Sequence, residues 1–196
     1  MTESRFKDSG IGVTGQSSLD NGLLRKNNVE EGPQVRLSSN ESSYGCSPMA
    51  TEAFVNAQFE LYRYPDGDQL KLREAVADIY NLSEAQIVCG NGSEELIGLC
   101  TRSFVGSGDE VILTRNHFVM CLIYVRGQRA EVILAEEAND VIDVEQILSA
   151  ITDKTRMIIV ANPNNPTGTY INETELDRLI KGIPDSVILI LDGAYA

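Results

Sequence analysis

Met157-Ile158-Ile159-Val160 runs straight into Ala161-Asn162-Pro163-Asn164-Asn165-Pro166-Thr167-Gly168, and this join decides the fold. A continuous, largely β-branched apolar run closed by Asn, Pro and Gly reads as a buried strand of a parallel sheet emptying into a tight loop. Two prolines there remove backbone donors and fix φ, so the loop keeps its shape. In open α/β sheets the crevice beyond the carboxyl ends of the strands is where ligands bind. The same residues also make any sharp turn, so function rests on what else reaches that edge.

Composition narrows the classes. With 16 Lys and Arg against 29 Asp and Glu, the net charge of −13 argues against nucleic acid or an anionic membrane as partner. Apolar runs such as Val187-Ile188-Leu189-Ile190-Leu191 are too short to span a bilayer, and Met1-Thr2-Glu3-Ser4-Arg5 lacks a secretory apolar region, so the expected location is the cytoplasm. Cys46, Cys89, Cys100 and Cys121 have no C-x-x-C spacing and read as reduced, buried small hydrophobes rather than metal ligands or disulfide partners. His117 is the only histidine, which rules out a multi-histidine metal site; no metal is expected.

Outward from the join, strands and helices alternate. Residues 1–35 are polar and without period, and read as a flexible extension; residues 36–196 form the folded part. Ser47-Pro48 is a helix start, with Ala50, Ala53, Phe54 and Ala57 on one face. Leu72, Val76, Ile79 and Tyr80 mark a second helix. Ile87-Val88-Cys89 is expected to be a strand, followed by a helix burying Leu96, Ile97, Cys100 and Phe104. A strand at 110–114, a helix with Phe118, Cys121, Leu122 and Val125, and a strand at 131–134 come next. Asp143-x-x-Gln146 and Asn172-x-x-Glu175 resemble capping boxes for helices on either side of the Met157–Val160 strand, and 187–191 is the last strand. The pattern predicts an α/β, three-layer fold around a mostly parallel sheet.

Candidate ligand groups gather after these strands. Gly90-Asn91-Gly92-Ser93-Glu94 opens a helix, so the N–H groups of Gly92, Ser93 and Glu94 make a phosphate cradle. It is neither a dinucleotide fingerprint nor a P-loop, and glycine at such a turn is also common for steric reasons. Asp192 ends an apolar strand, where a carboxylate needs a cation or donor beside it, and a protonated ring nitrogen would serve. Tyr195, Asn165 and Phe118 approach the same crevice from neighbouring loops. Anion cradle, aromatic plate, amide, phenol and carboxylate together suit pyridoxal 5′-phosphate.

Asn-Pro-Asn-Asn-Pro-Thr-Gly at 162–168, Asp192-x-Ala194-Tyr195, Gly90-Asn91-Gly92-Ser93-Glu94-Glu95, Tyr62-Arg63-Tyr64-Pro65-Asp66-Gly67 and Leu37-Ser38-Ser39-Asn40-Glu41 occur in the order and spacing of histidinol-phosphate aminotransferases. The chain over about residues 36–196 therefore resembles this family, in the class II branch of fold-type I pyridoxal-phosphate enzymes. The resemblance implies the N-terminal part of that large domain. It implies that the backbone of Gly92, Ser93 and Glu94 holds the cofactor phosphate, that Phe118 stacks on the ring, and that Asn165 and Tyr195 bond its 3′-oxygen. Asp192 would keep the ring nitrogen protonated, and Tyr64 would reach the cofactor of a partner subunit, which makes a homodimer. The implied reaction moves an amino group between a small amino donor, histidinol phosphate, and the 2-oxo acid 2-oxoglutarate, in histidine biosynthesis.

The chain departs from the family at Gly193, where Glu is usual, and at Ser42-Ser43, where Asn-Pro is usual. The family's Schiff-base lysine is expected beyond Ala196, together with the small C-terminal domain. No catalytic lysine is assigned in this chain, and alone it is expected to be inactive. An aromatic-amino-acid aminotransferase or a threonine-phosphate decarboxylase would share every residue named, and a non-catalytic fragment is the reading from another class.

Overall fold

The computed structural model describes residues 39–196, which fall into two compact units divided between Arg63 and Tyr64. The expected extension at 1–35, and Leu37 and Ser38 of the first motif, lie outside the described residues.

In the first unit, α1 spans Pro48–Ala57 with proline at its first turn. Proline is at home there because its missing N–H has no intrahelical acceptor to lose. The expected Ser47 side-chain cap does not form; the Ser47 carbonyl instead accepts the Thr51 N–H at 3.0 Å. No residue of α1 is buried, although Ala50, Ala53, Phe54 and Ala57 were expected to face a core.

The second unit is built on a sheet of four parallel strands in the order β2-β1-β5-β6: β1 Glu110–Thr114, β2 Glu131–Ala135, β5 Thr155–Ala161 and β6 Ile188–Asp192. A hairpin of β3 Glu137–Ala138 and β4 Val141–Ile142 lies between β2 and the next helix. The helices are α2 Leu70–Tyr80, α3 Gly92–Phe104, α4 Val119–Gly127, α5 Val144–Ser149 and α6 Glu173–Gly182.

Alternation along the strands sorts the core into two layers, because neighbouring residues of a strand point to opposite faces. Val111, Leu113, Met157 and Ile159 pack with Ile97 of α3 and Cys121 and Val125 of α4. Ile112, Ile158 and Val160 pack with Val144 and Ile147 of α5 and Leu179 of α6. Helices thus cover both faces, as a parallel sheet requires. Val111, Ile112, Leu113, Met157 and Ile158 are fully buried, each side chain contributing ~1.5–3 kcal/mol.

Both helices flanking β5 start where expected. Asp143 accepts the Glu145 N–H at 2.9 Å and the Gln146 N–H at 3.4 Å, and Asn172 accepts the Glu175 N–H at 3.0 Å. These caps satisfy backbone donors that have no acceptor within the first turn.

Four expectations are corrected. Of the cysteines expected to be buried only Cys121 is; Cys46 is exposed, and Cys89 and Cys100 are half-buried. Ile87-Val88-Cys89 is no strand: Ile87 is extended, at φ −115° and ψ 127°, but no described strand pairs with the segment, and a strand exists only through pairing. On α2 the buried residue is Ala77, while Leu72, Ile79 and Tyr80 are exposed. On α3, Ile97, Gly98 and Thr101 are buried and Phe104 is exposed.

Candidate functional site

Because the strands are parallel, their carboxyl ends share one edge, and the turns after three of the four carry a residue singled out from the sequence. Thr114 of β1 leads to Phe118, the N-cap of α4; Ala161 of β5 leads to Asn165; and β6 ends on Asp192 itself. Ala161 and Asp192 are register partners, and the Asn162 N–H donates to the Asp192 carbonyl at 2.9 Å.

The β5–α6 loop is closed by its own hydrogen bonds. Gly168 N–H donates to the Asn164 carbonyl and Asn164 N–H to the Thr169 carbonyl, both at 2.8 Å. Gly168 sits at φ +70°, a conformation that glycine adopts without the steric cost a Cβ would bring. Asn162 straps the loop's two ends, its Oδ1 accepting the Ile171 N–H at 3.0 Å and its Nδ2 donating to the Ile171 carbonyl at 3.2 Å. The loop also reaches its neighbours: Asn164 Nδ2 donates to the Asn116 carbonyl at 2.8 Å, and Thr169 Oγ1 to the Asp140 carbonyl at 2.7 Å. Asn116 in turn donates from its N–H and Nδ2 to the Glu137 carboxylate, at 2.9 and 2.7 Å.

The β6 side is more open. Asp192 is half-buried rather than desolvated, because β6 is an edge strand among the described residues; its Oδ1 accepts the Ala194 N–H at 3.1 Å. Asn165 Nδ2 donates to the Tyr195 hydroxyl at 3.4 Å. Asp192 also bears on α4: burial, and after it the Asp192 carboxylate, push the Cys121 thiol up to about 12. In that state Cys121 is a neutral core residue.

Across from Asp192, the start of α3 supplies N–H groups. Gly92, at φ +84°, turns its own N–H onto the Gly90 carbonyl at 3.0 Å, so it is not the outward donor expected of it. Ser93 and Glu94 follow in the first turn, where a helix has no internal acceptors for its amides and carries the positive end of its dipole. The Glu95 carboxylate folds back onto the Asn91 N–H at 2.6 Å, and Glu94 accepts the Tyr124 hydroxyl at 3.1 Å. Desolvation and that carboxylate raise the Tyr124 phenol above its ordinary value.

Ser93, Ile190, Asp192, Gly193 and Ala194 line one cavity of about 320 Å³, floored by Leu96, Ile97 and Cys100. Ser93 and Asp192 therefore share one edge, and Asn165 and Tyr195 meet beside it. Phe118 is half-buried against the core layer that contains Cys121 and Ile97. Tyr64 is almost fully exposed at the start of the second unit and joins none of these contacts. Sequence reading missed Asn164, Asn116 and Glu137, which tie the loops together. The signal available was Asn139-Asp140, both at positive φ in a two-residue hairpin turn.

A family model described as aminotransferase class I and II matches residues 32–196. The chain belongs to the class I and II aminotransferases. It is 45% identical over 162 residues to a histidinol-phosphate aminotransferase of Rhodospirillum rubrum, covering 83% of this chain and 44% of that one. Identity is also 45% over 162 residues with the histidinol-phosphate aminotransferase of Dinoroseobacter shibae, again 83% of this chain and 45% of the relative. Among solved structures, the histidinol-phosphate aminotransferase of Sinorhizobium meliloti in complex with pyridoxal-5′-phosphate superposes with a TM-score of 0.76 at 27% identity, over 80% of this chain and 43% of that one. The histidinol-phosphate aminotransferase of Clostridium acetobutylicum gives 0.71 at 26% identity, over 80% and 46%. The α/β three-layer fold of this aminotransferase chain is thus that of fold-type I enzymes, and the chain spans less than half the length of these relatives.

Proposed function

We propose that this chain is the N-terminal, cofactor-binding portion of the large domain of an aminotransferase that exchanges an amino group between histidinol phosphate and 2-oxoglutarate, with pyridoxal 5′-phosphate as cofactor. The observation that carries this is the cavity of about 320 Å³ lined by both Ser93 and Asp192. An N-terminal helix turn and a carboxylate facing one space form a donor set that fits a molecule with a phosphate at one end and a basic ring nitrogen at the other. The relatives' names support histidinol phosphate over an aromatic amino acid or threonine phosphate.

When bound, the cofactor supplies an electron sink for loss of the α-proton. The chain's own residues bind and orient it. The Ser93 and Glu94 amides, backed by the α3 dipole, take the phosphate, with Gly92 shaping the turn. Asp192, a half-buried carboxylate at the end of β6, holds a proton on the ring nitrogen by opposing its charge. Phe118 offers the ring a flat apolar face, and Asn165 and Tyr195 act as a pair on the 3′-oxygen. Tyr64, exposed, is free of the site so far described and is assigned to the cofactor phosphate of a second subunit in a homodimer. No described helix is long and apolar enough to cross a membrane, in keeping with a cytoplasmic enzyme.

Among the described residues the lysines are Lys71 on α2, Lys181 on α6, where it pairs with Asp177 at 2.9 Å, and Lys154, just before β5. Lys154 lies at the amino end of β5, roughly 20 Å from the opposite edge at ~3.3 Å per residue. Lys7 and Lys26 fall outside the described residues, in the segment read from the sequence as an extension, and the 196-residue chain alone is expected to show no transamination. Borohydride reduction with pyridoxal phosphate and peptide mapping tests this: scattered, substoichiometric labelling is expected, and stoichiometric labelling of one lysine with turnover overturns it. A chimera joining the chain to the C-terminal part of the Rhodospirillum rubrum relative is expected to turn over histidinol phosphate in preference to phenylalanine or threonine phosphate. A preference for either of the others overturns the substrate assignment. In that chimera, Asp192→Asn is expected to slow turnover by about two orders of magnitude or more while the cofactor still binds.

A further inference from the structure

The β5–α6 loop holds one buried polar side chain that the assigned site does not use. Asn164 is only 3% exposed, and its Nδ2 donates both to the Asn116 carbonyl at 2.8 Å and to Thr167 Oγ1 at 3.0 Å. The Thr169 hydroxyl is spent on the Asp140 carbonyl at 2.7 Å, so in the 2.8 Å contact between the two threonines Thr167 is the donor. The bonds therefore run one way, from Asn164 through Thr167 and Thr169 to the hairpin turn. Asn164 Oδ1 is buried and has no hydrogen-bond partner among the described residues. Rotating the amide would set an oxygen against the Asn116 carbonyl, so this orientation is held by the two acceptors despite the unsatisfied oxygen.

What the amide joins is specific. Asn116 lies two residues before Phe118, and its peptide is fixed on its other side by Glu137, with Asp140 Oδ1 a further acceptor at 3.2 Å. Asn164 directly precedes Asn165. One buried side chain thus sets the spacing between the loop that carries the aromatic plate and the loop that carries the amide for the 3′-oxygen. We infer that Asn164 is a positioning residue of the ring half of the site, acting through Phe118 and Asn165 without itself touching the cofactor. This rests on the cofactor reading above.

The test is binding to the 196-residue chain by calorimetry, with pyridoxine 5′-phosphate as probe, which lacks the aldehyde and so cannot couple to lysine, and with inorganic phosphate as a second probe. Asn164→Asp keeps the shape and removes the donor. It is expected to weaken pyridoxine phosphate about tenfold and leave inorganic phosphate unchanged. Because Asn164 acts in part through Phe118, the double variant Asn164→Asp with Phe118→Leu is expected to lose clearly less than the two single losses combined. If circular dichroism shows Asn164→Asp unfolded, Asn164→Ala, which removes the amide donor to the Asn116 carbonyl without adding a charge, carries the same expectations. Equal pyridoxine phosphate binding by variant and parent, equal loss for both probes, or additive losses in the double variant each overturn the positioning role alone. A parent chain that binds pyridoxine phosphate nowhere overturns the cofactor reading, and this inference with it.

Discussion

The β5–α6 loop and the end of β6 leave the same sheet edge, yet they are held in opposite ways. The first is closed on itself through Asn162, Asn164 and Gly168 and tied to two further loops, with Asn164 buried. The second carries Asp192 half-buried on an edge strand, with one N–H from Ala194 on its carboxylate. Among the described residues β5 has a strand on both sides and β6 on one, and in this chain the loop after the doubly flanked strand is the more tightly held of the two. The clamped half presents the ring's plate and amide. The open half presents charge, where precise placement matters less than sign.

Cys121 joins the two halves and gives the largest expected contrast. With its thiol pushed up to about 12 and its side chain buried, Cys121 should be alkylated at pH 8 about two orders of magnitude or more slowly than the exposed Cys46, the lost thiolate population outweighing the greater nucleophilicity of each thiolate. Asp192→Asn removes one cause of the rise and should speed Cys121 labelling; an unchanged rate would show that the carboxylate does not face α4. Next in size is the core beneath each half. Ile158→Ala, in the middle of β5, is expected to cost ~2–5 kcal/mol in urea unfolding. Leu191→Ala, on half-open β6, should cost under ~1 kcal/mol, and equal losses would erase the distinction. Amide exchange should then separate the loops, with Asn164 and Gly168 exchanging about tenfold or more slowly than Ala194 and Ala196. The smallest effect belongs to Gly193→Glu. A Cβ there would meet nothing nearer than Ala196 Cβ at 3.7 Å, so stability should move by less than ~0.5 kcal/mol, and a larger loss would mean the open half is more constrained than it looks.

The sheet was legible because β1, β5 and β6 are apolar runs bounded by Gly, Pro, Asn or charge, and the helices after Asp143 and Asn172 announce themselves by their caps. Pattern failed where pairing decides: Ile87-Val88-Cys89 has a strand's composition and no described partner, and α1 and α2 have apolar stripes that stay exposed. Phe118, Asn165 and Asp192 were readable as candidates because they follow or end strands, and in a parallel sheet those ends share an edge, whereas Ser93 was found through the helix start alone. The clamp through Asn116, Asn164 and Glu137 was not, since it joins residues far apart in sequence through a main-chain carbonyl and a turn, which no local spacing encodes.

If one pocket at the carboxyl edge takes a phosphate at the α3 turn and a ring nitrogen at Asp192, titrating the isotope-labelled chain with pyridoxine 5′-phosphate should shift one set of backbone amides together. The largest shifts are expected at Ser93, Glu94, Phe118, Asn165 and Asp192 in one saturable event. Shifts confined to another surface, such as the groove lined by Leu148, Asp177, Arg178 and Lys181 between α5 and α6, would contradict it.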